Sequence, residues 1–126
     1  MGKVLYSAVV LDDKSRDMLI HKFKSLVPDG WDIICHHMTI NLGELKDSMK
    51  EDIGKEVKLV VHSFGIDKLV LAFGVLGYPS KNKQPHITFA VNKKDGGKPF
   101  MSNNITNWKT IKEIIVTGVV EEVKSH

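Results

Sequence analysis

Two tetrads in this chain place a threonine two residues after a histidine: His37-Met38-Thr39-Ile40 within HHMTINLG, and His86-Ile87-Thr88-Phe89 within PHITFAVN. Each sits in a run of β-branched and aliphatic residues that reads as a strand. Strand side chains alternate faces, so His37 and Thr39 point one way, as do His86 and Thr88. Met38, Ile40, Ile87 and Phe89 point the other way and can fill a core. Side by side, the two strands would form a four-residue polar patch. Imidazoles with an ordinary pKa of about 6.5 can divide acid and base work, one neutral and one protonated. Threonine hydroxyls can donate to oxygens whose charge grows in a transition state. That set suits phosphodiester chemistry. The neutral ring takes a proton from water or a ribose 2′-hydroxyl, the imidazolium protonates the departing oxygen, and the scheme calls for no metal or other cofactor.

The remaining histidines fit this pattern less well. Alternation sends His36 to the face opposite His37, so its replacement is expected to affect stability more than turnover. His21 lies among lysines on a helix, His62 has no threonine partner, and His126 is the last residue. A competing reading groups Cys35, His37 and His86 as three ligands of a zinc-dependent hydrolase, with a fourth position open; it leaves both threonines without a role. Around the tetrads, Lys81 and Lys83 precede His86 and could meet a phosphate, while Tyr78 and Trp108, with Trp31, could stack a base. Gly96-Gly97-Lys98 lacks the rest of a phosphate-binding loop and reads as a flexible lid or rim.

The elements that must carry these residues follow from local pattern. Val4 to Leu11 is a strand ending in the capping pair Asp12-Asp13. Leu19, Ile20, Phe23, Leu26 and Val27 recur at helical steps until Pro28-Asp29-Gly30. Asp32 to Leu42 reads as one strand, Glu44 to Lys55 as a loop with a short helical piece. Two strands over Glu56 to Phe64 and Lys68 to Leu76 meet at a hairpin through Gly65-Ile66-Asp67. A strand from His86 to Val91, a Gly-rich stretch, and a last strand from Lys112 to Val123 complete the chain. The sum is a single α+β domain over residues 1–126, mostly antiparallel with a helix packed on the sheet, and the repeated tetrad suggests two related halves.

Composition narrows the classes. The chain has 126 residues, 42% hydrophobic and 26% charged, as expected of one globular domain with an ordinary core. No apolar run approaches the roughly 20 residues of a membrane span, and the N-terminus lacks a cleavage site. Gly2 is followed by Tyr6 where a myristoylation signal needs Ser or Thr. Cys35 is the only cysteine, so a reducing compartment, the cytoplasm, is expected. The net charge of +3 rests on lysine, with Arg16 the sole arginine. That balance tolerates an anionic ligand but does not describe a general duplex binder.

HHMTI and PHITF resemble the paired His-x-Ser/Thr motifs of the 2H phosphoesterase superfamily. It includes RNA 2′,5′-ligase-like proteins, cyclic phosphodiesterases, and phage proteins that degrade cyclic-oligonucleotide signals. The order of strands and helix is also similar, over most of the chain. The resemblance implies a bilobal fold with both motif strands lining a central groove. It further implies metal-independent cleavage of 2′,3′-cyclic phosphate RNA ends or of cyclic or linear oligonucleotides, with His37 and His86 as acid and base and Thr39 and Thr88 holding the phosphate. The substrate is then an RNA end or cyclic nucleotide, with no membrane and no obligate protein partner. The spacing is shorter than the superfamily pattern, and KKDGGKPFMSNNITNW stands where the second half would carry its helix. A non-catalytic module capturing a nucleotide or RNA end in the same groove is the alternative from another class.

Overall fold

The computed structural model describes residues 3–124; Gly2 and His126 lie outside them. β1 (Val4–Leu11) runs into α1 (Asp13–Phe23), where the Asp12 carboxylate accepts a 2.7 Å hydrogen bond from the Ser15 amide. This satisfies one of the free donors of the first turn. Leu19 is fully buried, and Ile20 and Phe23 pack on the same core. The helix stops at Phe23, earlier than its periodicity suggests. A 3₁₀ turn over Lys24–Leu26 follows, leaving Leu26 exposed, and Gly30 at φ 84° completes the turn toward the sheet.

The segment expected as one strand from Asp32 to Leu42 is broken into β2 (Asp32–Ile33) and β3 (His37–Leu42). Both pair antiparallel with β6 (His86–Val91), but in different registers: Ile33 faces Ala90, while Met38 faces Ile87. Five steps on one strand therefore span three on the other. Cys35 and His36 absorb the excess as a bulge, with Cys35 at φ 43°. The amides of Ile34 and Cys35 still reach the carbonyls of Phe89 and Thr88, at 2.7 and 3.0 Å. Such bulges re-aim the residues beside them.

β4 (Glu56–Ile66) and β5 (Val70–Leu76) form the expected hairpin, but its turn falls later, on Asp67 to Leu69. The Asp67 carboxylate accepts from the amides of Leu69 and Val70 at 2.8 and 2.9 Å. Gly65 stays inside β4, because a side chain there would run into Ile105 and Trp108. β7 (Lys109–Lys124) starts three residues before the expected strand and pairs with β1 and β4. Since β5 also pairs with β6, the order β6-β3-β1-β7-β4-β5 closes on itself as a six-stranded antiparallel barrel. The fold class is α+β with a mostly antiparallel sheet. Met38, Ile40, Ile87 and Phe89 join Val9, Leu59, Val61, Phe73 and Val120 in one buried core.

β5 and β6 are buried on both faces, which is why β5 runs apolar throughout and β6 keeps polar residues only at His86 and Thr88. Their second face is covered by the stretch after β6. Ile105, Met101 and Trp108 pack there on Val70, Ala72 and Val91. The Gly-rich segment is thus a rim with anchors: Ser102 and Ile105 are buried, and a side chain at Gly97 would collide with the Leu69 carbonyl. Among the described residues no helix is long and apolar enough to cross a membrane.

Candidate active site

Antiparallel pairing of Met38 with Ile87 fixes the arrangement of the two tetrads. One residue to either side, His37 falls opposite Thr88 and Thr39 opposite His86, all on the face away from the core. The histidines are then diagonal neighbours, whose Cα atoms in such a pair lie roughly 7–8 Å apart. All four side chains line one cavity of about 810 Å³. Tyr6 of β1 and Asn41 of β3 also line it. Lys81 and Asn82 of the loop before β6 and Pro99, Phe100 and Asn103 of the stretch after it complete the lining.

The two imidazoles are held differently. Nδ1 of His86 lies 2.8 Å from the Gln84 carbonyl oxygen. That oxygen can only accept, so Nδ1 carries a proton and a neutral His86 presents a bare Nε2. Burial pushes His86 below the usual histidine range, partly offset by the Gln84 carbonyl, which favours the cation. Nδ1 of His37 lies 2.9 Å from Nδ1 of His36, with the rings edge to face. Tyr6 stacks on His37 at a centroid distance of 4.8 Å and 26°. Burial, then the neighbouring His36 and His86, lower His37 to about 4.

The threonines differ as well. Among the described residues nothing hydrogen-bonds the Thr39 hydroxyl, although its backbone carbonyl accepts from Ser80 at 2.8 Å. Thr88 is bound twice over: Oγ1 donates toward the Pro99 carbonyl at 3.1 Å and meets the buried Ser102 hydroxyl at 2.8 Å.

No family model and no curated protein matches this chain.

Of the other residues singled out from sequence, only Lys81 reaches the cavity. Its amide is anchored to the Ile40 carbonyl at 2.7 Å, and crowding by the neighbouring Lys46 amine, whose like charge disfavours a second cation, holds the Lys81 side chain below the usual lysine range. Two adjacent cations at this edge suit an anionic ligand. Lys83 is exposed in the same loop but lies outside the cavity wall. Tyr78 is turned elsewhere, its hydroxyl donating to Asp52 at 2.7 Å, and Trp108 packs in the outer apolar cluster. These two aromatics are therefore not placed to stack a cavity ligand. The zinc grouping is not assembled either: Cys35 is fully buried in the core, its thiol pushed up to about 12. Among the described residues no three His, Cys, Asp or Glu side chains stand together as a metal site.

Sequence reading missed Tyr6, Asn41, Phe100 and Ser102. Asn41 was reachable, since the period-two count through His37 and Thr39 continues to it. Its side chain closes the strand end, accepting from Ser7 and donating to Glu44. The other three arrive from distant segments and leave no local signal.

Proposed function

We propose that this chain is a metal-independent phosphodiesterase of the 2H phosphoesterase kind. It acts on 2′,3′-cyclic phosphate RNA ends or on cyclic or linear oligonucleotides, in the cytoplasm. The observation that carries this reading is the Met38–Ile87 register, which gathers both His-x-Thr pairs on one cavity wall. The bare Nε2 of His86 is suited to take the proton of the attacking water or 2′-hydroxyl, making His86 the base and His37 the acid. A bound phosphodiester anion raises both lowered imidazoles, because an opposite charge nearby favours the cation. Thr39 donates directly to a non-bridging oxygen. Thr88 does so by turning its proton from Pro99 to the phosphate while Ser102 donates to its oxygen. The cavity is large enough for more than a bare phosphate, and Lys81 with Lys46 lends it positive potential.

A panel of 2′,3′-cyclic mononucleotides, RNA ends and cyclic di- and trinucleotides, run with EDTA present, tests this reading. Turnover that persists in EDTA and disappears when both histidines are replaced is expected. Absence of turnover across the panel, or activity indifferent to that loss, defeats it. Tight binding without turnover makes the cavity a nucleotide-capture module instead.

A further inference from the structure

His36 was expected on the far face of its strand. The bulge at Cys35 changes that, because His36 precedes the first regular residue of β3 and its ring swings back to His37. The Nδ1 atoms are 2.9 Å apart, the rings 5.1 Å between centroids and 83° from coplanar. Two bare ring nitrogens repel, so one proton lies between them. Tyr6, stacked on the face of His37, fixes the ring that receives this contact. His86 has no such freedom, since its inner nitrogen meets a carbonyl that only accepts.

Resting on the phosphodiesterase reading above, we propose that His36 is a positioning residue that sets the tautomer of His37 and holds the proton His37 delivers. The charged and titratable groups around the pair favour this division. His37 faces Tyr6 from β1, His86 from β6 and Lys81 from the loop beside β3, while Arg16 of α1 donates to the Ile34 carbonyl at 3.3 Å. A cation on the half-buried His37 loses hydration and faces the neighbouring His36 and His86 rings, whereas His36 is exposed. The depressed His37 agrees with that placement.

The step balances as follows for a cyclic phosphate. Water oxygen bonds to phosphorus as its proton passes to Nε2 of His86. The bond from phosphorus to the leaving ribose oxygen breaks, and that oxygen takes the Nε2 proton of His37. Nδ1 of His37 then takes the Nδ1 proton of the His36 imidazolium. One imidazolium, His36, is exchanged for another, His86, and solvent returns the proton.

The test compares the full chain with His36→Ala and His36→Gln on two substrates. Glutamine can donate to His37 but cannot carry the proton. One substrate is a 2′,3′-cyclic nucleotide; the other is a nitrophenyl phosphodiester, whose leaving group departs without protonation. Both variants should lose about 10²-fold in kcat on the first, with KM little changed, and stay within about threefold on the second. The limb of the pH–rate profile on the alkaline side should also flatten. Equal losses on both substrates, or no loss on either, overturn the proposal. Imidazole ¹⁵N shifts give a readout independent of turnover. His37 should be protonated at Nε2 and bare at Nδ1, becoming a tautomer mixture in His36→Ala; an unchanged pattern overturns the inference. Lack of wild-type turnover on either substrate, by contrast, strikes the phosphodiesterase reading itself.

Discussion

β6 carries its tetrad deep in the fold. His86 and Thr88 are only 6% and 7% exposed, the ring nitrogen is fixed by the Gln84 carbonyl, and the hydroxyl is engaged by Pro99 and Ser102. β3 carries the same tetrad near the surface. His37 is held by a second imidazole and a stacked phenol, and the Thr39 hydroxyl is free of protein partners among the described residues. Two His-x-Thr strands thus meet unlike surroundings, and in the proposed reaction the surroundings divide the labour. A ring tied to a carbonyl is committed to accept at Nε2 when neutral. A ring tied to another imidazole can change tautomer and pass a proton on.

The largest expected effect removes either end of that division. His37→Ala and His86→Ala should each lower turnover of a cyclic phosphate by roughly 10²- to 10⁴-fold, and the double variant should cost far less than the product, since acid and base act in one transition state. Fully multiplicative losses would show two independent roles instead. Steady-state kinetics across pH should also give a bell whose limbs belong to the coupled rings.

Stability offers the next contrast. Burial lowers His37 from 6.5 to about 4, and lowers His86 too. The unfolded chain therefore takes up these protons first. Stability from the neutral rings is intact above pH 6.5 and drains as pH falls toward 4. Urea unfolding at about pH 7 and about pH 4.5 should lose less stability on acidification in His37→Gln than in the parent, by on the order of 2 kcal/mol. Parallel declines would mean that the β3 ring is not held neutral by the fold.

The hydroxyls sharpen the comparison further. Thr39→Val should lower turnover by about tenfold with little change in urea midpoint, because in the proposed reaction that hydroxyl binds the phosphate and no described residue hydrogen-bonds it. Thr88→Val should lower stability to urea by about 1–2 kcal/mol, since it leaves the buried Ser102 hydroxyl short of a partner. Ser102→Ala should show the smaller form of the same loss, about 1 kcal/mol, with turnover reduced only a few-fold, roughly. The reverse ranking would exchange the roles assigned to the two strands. Smallest of all, Lys83→Ala should leave kcat/KM within about twofold, because the side chain lies outside the cavity that Lys81 lines.

What the sequence determined by itself is local. Period-two alternation sent Met38, Ile40, Ile87 and Phe89 inward and turned both His-x-Thr pairs outward, and Asp12 marked the start of the helix. These choices depend on residues within a turn or a pleat of one another, so the chain alone records them. The Cys35 bulge is of another kind. It exists because the residues from Asp32 to Leu42 must follow β6 in two registers, and neither register is written in those residues alone. It decides where His36 points, which alternation misread. Ser102 beneath Thr88, Tyr6 against His37 and Trp108 over Gly65 are likewise contacts between segments far apart in the chain. Tyr78 and Trp108 look available for stacking in sequence, yet a carboxylate on another segment and an apolar cluster claim them. Which partner a side chain takes depends on what barrel closure brings alongside it, and only the folded chain supplies that.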